Sequence, residues 1–146
     1  MAIILTAQLN SQEYIAYKVE IHDTTISTDS TNEFQLTAPP TWSWAGKTKD
    51  IFQTVMPRSY NIGMEVPGSG VVKNFVDAFV SEADEQRYYA VGYRDGSVYF
   101  KGWLQLGQST IPIRHQEHYP FSLKCMCGLG RIDKYDYTPP GSDVPL

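Results

Sequence analysis

The stretch Tyr88–Leu106 reads YYAVGYRDGSVYFKGWLQL, and its centre decides the fold class. Asp95-Gly96 is a two-residue signature of a type I′ turn, which asks for positive φ at both positions. Alternating apolar residues flank it on both sides, as two strands joined by a tight turn should. A two-residue loop makes Arg94 and Ser97 partners, so Tyr93 faces Val98, Val91 faces Phe100 and Tyr89 meets Gly102. Tyr99 and Trp103 then lie on the hairpin face opposite Val98 and Phe100. Gly102, inside a strand, points to a bulge, a bend or a close backbone approach.

Working outward, Glu13–His22 places Ile15, Tyr17, Val19 and Ile21 on one face and polar residues on the other, a period of two. Asp23–Asn32 is polar and reads as an exposed loop or a loosely held hairpin. Phe34–Thr37 is a short strand stopped by Pro39-Pro40, and Thr41–Gly46 continues extended with Trp42 and Trp44 on one face. Tyr60, Ile62, Met64 and Val66 alternate again, ending at Pro67-Gly68-Ser69-Gly70. The period then changes: Val72, Phe75, Val76, Phe79, Val80 and Ala83 recur at three and four, predicting one amphipathic helix at about residues 72–85. Gly107–His118 reads as a polar loop and Tyr119–Cys127 as the last strand, after which Gly128–Ile132 turns back. The expected fold is mainly β, a small barrel or strongly twisted sandwich with one helix. Residues 1–137 form one domain and residues 138–146 a flexible tail or linker.

Composition agrees. Ten Tyr, six Phe and three Trp stand in 146 residues, and such side chains suit a pleated, half-buried surface. Sixteen acidic against twelve basic residues leave a net charge of -4, so no global cationic field draws nucleic acid or anionic lipid. No apolar run reaches the roughly 20 residues that span a bilayer. The N-terminus shows no basic leader or cleavage signature, and two cysteines build no disulfide framework; these point to a soluble protein made in a reducing compartment.

The search for chemistry is sparse. No phosphate-binding loop, dinucleotide fingerprint, nucleophile elbow or zincin motif occurs. His115 and His118 lack an obvious third ligand, and Cys125 and Cys127 share a strand face as small buried residues rather than as half of a zinc site. No carboxylate stands in an apolar setting that would raise its pKa. We therefore expect no catalytic residue, no metal and no cofactor. Trp42, Trp44, Tyr99 and Trp103 are the candidate interface residues, because exposed aromatic rows anchor protein contacts or stack on sugars. A carbohydrate-binding β module for host-surface recognition is the alternative, and a small enzyme stands behind it.

Taken in order, Val19-Glu20-Ile21-His22-Asp23-Thr24, then Phe100-Lys101-Gly102-Trp103-Leu104, then Leu123–Ile132 closing on Gly128-Leu129-Gly130-Arg131-Ile132, resemble a known pattern. The order is similar to the barrel domain of bacteriophage tail-tip and baseplate hub proteins, in particular those of phages and prophages of the Bacteroides–Flavobacterium type. Chains of that family usually run longer, and commonly carry Asp where Cys127 stands here. The resemblance implies a virion structural protein of the phage tail, at the tip, the baseplate hub or the distal ring. It would assemble in host cytoplasm with itself as a trimeric or hexameric ring, against neighbouring tail-tube and tail-tip proteins. Neither a membrane nor sequence-specific nucleic acid is an implied partner.

Overall fold

The Asp95-Gly96 turn forms, with φ of 48° at Asp95 and 80° at Gly96. It is held from outside the hairpin as well. Asp95 accepts the Ala16 N–H on its carboxylate at 2.9 Å, and its own N–H bonds Ala16 O at 2.8 Å. Gly96 has open space where a Cβ would sit, so its requirement is purely one of backbone. Gly96→Ala is expected to cost about 1–2 kcal/mol, the ordinary penalty of left-handed backbone for a residue with Cβ, read as a lower denaturant midpoint.

The computed structural model describes residues 1–44, 58–82, 86–110 and 118–127. Among them the chain is mainly β: eight strands form one nearly closed, barrel-like sheet, with a single helix. The strands are β1 (Ala2–Asn10), β2 (Ala16–Asp23), β3 (Gln35–Leu36), β4 (Thr41–Trp44), β5 (Arg58–Val66), β6 (Tyr88–Arg94), β7 (Ser97–Thr110) and β8 (Tyr119–Met126), with α1 (Val71–Ser81) between β5 and β6. Their spatial order is β1-β2-β6-β7-β8-β5-β3, every neighbouring pair antiparallel. Closure comes from the stretch before β3, which runs parallel to β1. Thr6 N–H bonds Asn32 O at 2.9 Å, and Phe34 N–H bonds Thr6 O at 3.0 Å. The end of the stretch read as an exposed loop or loosely held hairpin, Ser30–Asn32, thus joins Glu33 and Phe34 in the stave that closes the barrel.

β4 extends the same side of β5 that β3 uses. Gln35 pairs with Glu65, but Thr41 pairs with Asn61, so the register shifts by two across the Thr37–Pro40 stretch. Prolines have no N–H to give to a ladder, and they fall at this break. The residues 45–57, 83–85, 111–117 and 128–146 lie outside the described residues. So do the expected turn after Cys127, the tail at 138–146, His115 and the end of the expected helix.

The hairpin register differs from the sequence reading. Tyr93 faces Val98 as expected, but Gly92 then faces Phe100, Val91 faces Lys101 and Tyr89 faces Trp103. The bulge sits at Tyr99, not at Gly102, and it puts Phe100 on the core face beside Gly92. A larger residue at position 92 would collide with that ring: a Cβ built there comes within 2.0 Å of Phe100. β7 also continues through Thr110, into the stretch read as a polar loop.

The interior is filled by side chains of alternate residues. Val19 and Ile21 from β2, Ile62 and Met64 from β5, and Leu123 and Cys125 from β8 are completely buried. Helix α1 covers one end of the barrel, where β5 ends and β6 begins. Its start lacks a side-chain cap and its first turn holds no acidic residue, so packing rather than capping holds it. Phe75 stands edge-on to Tyr88 with centroids 5.2 Å apart, and Phe79 edge-on to Phe121 at 6.5 Å. The helix ends at Ser81, earlier than the periodicity suggested, because Glu82 is already extended at φ -96° and ψ 125°.

Candidate functional site

The two ends of the barrel are built differently. At the helix end, charge ties the elements together. Arg87 donates to Asp23 from Nη2 at 3.0 Å and from Nε at 3.1 Å, and its Nη1 pairs with Glu82 at the helix C-terminus. Thr25 adds a backbone N–H at 2.8 Å and a hydroxyl at 2.6 Å, both to the other carboxylate oxygen, Oδ1. The Asp23 side chain is 3% exposed. Burial pushes its carboxyl up, but the hydrogen bonds from Arg87 and Thr25 outweigh that and hold it below the usual carboxylate range. Sequence reasoning missed this latch, although Asp23 extends the Tyr17, Val19, Ile21 face by one more step of two.

On the outer wall, β2 and β6 carry a second polar cluster. Glu20, 6% exposed, lies 2.7 Å from Lys18 Nζ and accepts the Tyr93 hydroxyl at 3.2 Å. His22 Nε2 approaches Glu20 Oε2 at 3.4 Å. Burial raises the Glu20 carboxyl, but Lys18 and Tyr93 bring it below its ordinary value. Both buried carboxylates are thus stabilised as anions, the opposite of the raised pKa that suits a general acid at neutral pH. Their geometry clamps strands: Glu20 to β6, Asp23 to the turn before β6 and to the helix. Among the described residues no group of three His, Cys, Asp or Glu side chains is placed to hold a metal ion. Cys125 is fully buried, and burial pushes its thiol far up.

The opposite end is aromatic. Tyr60 stacks on Phe100 with centroids 4.6 Å apart, and Tyr99 meets Tyr60 at 6.1 Å and Tyr17 at 6.4 Å, both edge-on. Trp42 is the cross-strand partner of Tyr60, so it shares the core-facing side of β5 where the barrel opens, and it is 45% exposed. Tyr14, in the β1–β2 loop, and Val98, beside the hairpin turn, are exposed at this same end. The Tyr14 loop is folded back on itself, with Ser11 N–H bonded to Ile15 O at 2.9 Å.

The four aromatics singled out from the sequence therefore divide. Trp42 and Tyr99 come to the open end. Trp103 lies on the outer wall, edge-on to Tyr89 at 5.1 Å, and shares no face with Trp42. The backbone of Trp44 continues β4 opposite Arg58, and its side chain lies outside the described residues. Tyr99 and Trp103 were expected on one face of the hairpin; the bulge at Tyr99 turns it towards the core rings instead. Tyr14 and Val98 carried no sequence signal, since a lone Tyr in a polar turn and one Val in an alternating strand are ordinary.

No helix among the described residues is long and apolar enough to cross a membrane. No protein family matches this chain, no curated protein matches it, and no solved structure matches it.

Proposed function

We propose that this chain is a virion structural protein of a phage tail, a component of the tail tip, baseplate hub or distal ring that works by assembling with copies of itself. The observation that carries the reading is the asymmetry of the barrel. One end is sealed by α1 and latched by Asp23, Arg87 and Glu82; the other presents Trp42, Tyr14 and Val98 around a rim of Tyr rings. Aromatic side chains that remain exposed at one end of a filled barrel are the usual material of contact hot spots. A packed interior offers a rigid stave, and the polar clusters fix strands rather than perform acid–base chemistry. The resemblance of Val19–Thr24, Phe100–Leu104 and Leu123–Ile132 to tail-tip barrel domains supplies the biological setting.

The test is the mass in solution, by light scattering over a wide range of concentration. The expected result is a trimer or hexamer of the 16.5 kDa chain, or growth towards one as concentration rises. A strict monomer at the highest concentration overturns self-assembly.

A further inference from the structure

We propose that the outer wall of the barrel carries a cleft for one neutral sugar ring, near the open end, on the faces of β1, β2 and β6. Cross-strand partners share a face, and the register sets Gln8, Lys18 and Tyr93 side by side. Asn10 and Glu20 follow on that face, each two residues along its own strand. These five residues line a cleft of about 360 Å³, within the range of ligand clefts. Its rim is fixed before any ligand arrives. The loop that joins Asn10 to Ala16 is closed by Ser11 N–H on Ile15 O at 2.9 Å and by Tyr14 N–H on Ser11 O at 3.0 Å. Ala16 is held to the hairpin turn by its two bonds with Asp95, and Gly96 of that turn borders the cleft. A site that is already shaped loses little entropy on binding.

The chemistry of the walls selects the ligand. Lys18 Nζ lies 2.7 Å from Glu20 Oε1, and these two carry the only charges among the described residues that line the cleft. An entering anion meets Glu20 and an entering cation meets Lys18, so a ligand with net charge gains little. The Glu20 carboxylate, its side chain 9% exposed, only accepts hydrogen bonds, the Lys18 ammonium only donates, and the amides of Gln8 and Asn10 do both. Both amide side chains are exposed and take part in no hydrogen bond among the described residues. A hydroxyl donates to a carboxylate and accepts from an ammonium or an amide, so neighbouring hydroxyls match this alternation. The Tyr93 ring adds apolar surface, fixed by its hydroxyl bond to Glu20 at 3.2 Å, with Lys18 Nζ 5.6 Å from its centroid. Hydroxyls set around an apolar ring face describe a pyranose. The cleft is built from one chain alone, so the inference stands apart from self-assembly.

Saturation-transfer magnetic resonance on the full chain tests it, because the sugar is observed and a monomer or an assembled ring serves alike. The neutral probes are the methyl pyranosides of glucose, galactose and mannose, with N-acetylglucosamine; glucuronate and glucosamine are their charged counterparts. The expected result is a saturable signal with at least one neutral probe at millimolar concentration, and about tenfold weaker binding of the charged sugars. Gln8→Ala and Asn10→Ala each weaken binding roughly fivefold, the worth of one hydrogen bond. Asn74→Ala, at an exposed position of α1, leaves it unchanged. No saturable signal from any neutral probe up to about 100 mM overturns the inference. So do charged sugars that bind as tightly, or Gln8 and Asn10 variants that bind like wild type. Each of these failures leaves self-assembly standing, since none is read from the mass of the particle.

Discussion

Arg87→Met lowers folding stability by about 3–5 kcal/mol, the cost of leaving a buried carboxylate without its cation. Methionine keeps most of the aliphatic length, so the loss reads the charge more than the packing. Asp23, with 3% of its side chain exposed, keeps only the two Thr25 donors, and Glu82 loses its tie to the turn before β6. Asp23→Asn is milder, about 1–2 kcal/mol. The amide still accepts from Thr25, while Arg87 keeps Glu82 and is itself partly solvated. Denaturant midpoints with unchanged slopes measure both. Equal losses for the two variants would mean that an uncompensated Asp23 carboxylate costs no more than the lost ion pair itself.

The same latch fixes a pH dependence. The folded carboxyl of Asp23 titrates below its unfolded value, which is about 3.9. A depressed carboxyl contributes stability that is fully present above the unfolded value and is lost as pH falls through the folded one. Wild-type stability is therefore expected to decline below about pH 4, with Glu20, also depressed, adding to the slope. In Arg87→Met, Asp23 loses the Arg87 hydrogen bonds that lower its pKa, which therefore rises relative to wild type. Protonation then relieves a buried charge, so the deficit of this variant narrows in acid. A deficit independent of pH would assign the loss to the aliphatic contacts of Arg87.

How much of this was legible depends on which signal each element carries. β2, β5, β8 and the hairpin each place apolar residues on the core face in steps of two, so a period of two marks them. α1 shows the period of a helix with one covered face. β1 did not declare itself, because Ala2-Ile3-Ile4-Leu5 is a continuous apolar run and its later residues are short and neutral. The closing stretch was invisible for a different reason. Ser30, Asn32 and Phe34 contribute backbone bonds to β1, and a polar composition says nothing about backbone pairing. Of the candidate contact residues, Trp42 is exposed at the open end. Separating Trp103 from it required knowing that β4 and β7 carry these rings on opposite faces of the sheet. The latch depended on Arg87, distant in sequence from Asp23, and the β2–β6 pairing that sets Asp23 opposite Tyr88 brings the two together.

Gly102→Ala is expected to be the most damaging single methyl group in the barrel, at about 3 kcal/mol or more, the upper end of overpacking costs. A Cβ at this position would lie 2.2 Å from the carbonyl oxygen of Met126 and 2.8 Å from Cys125 Sγ. The first of these is backbone in the adjoining strand, where Trp103 faces Met126 and Leu104 faces Cys125, and it cannot rotate away. Two other glycines calibrate the prediction. At Gly63 the nearest atom is the hydroxyl of Thr37, an exposed side chain that can change rotamer. At Gly92 it is the Phe100 ring, a side chain but one stacked on Tyr60 at 4.6 Å. The alanine variants should therefore lose stability in the order Gly102, Gly92, Gly63, and urea midpoints give the order directly. The physical reason is the freedom of the obstructing atom, not the distance, since the shortest contact of the three belongs to Gly92. If Gly92→Ala proves the worst, the β7–β8 ladder yields more readily than the aromatic end. The β7–β8 wall that carries Trp103 would then be the softer part of the barrel, and the Tyr60–Phe100 stack its rigid one.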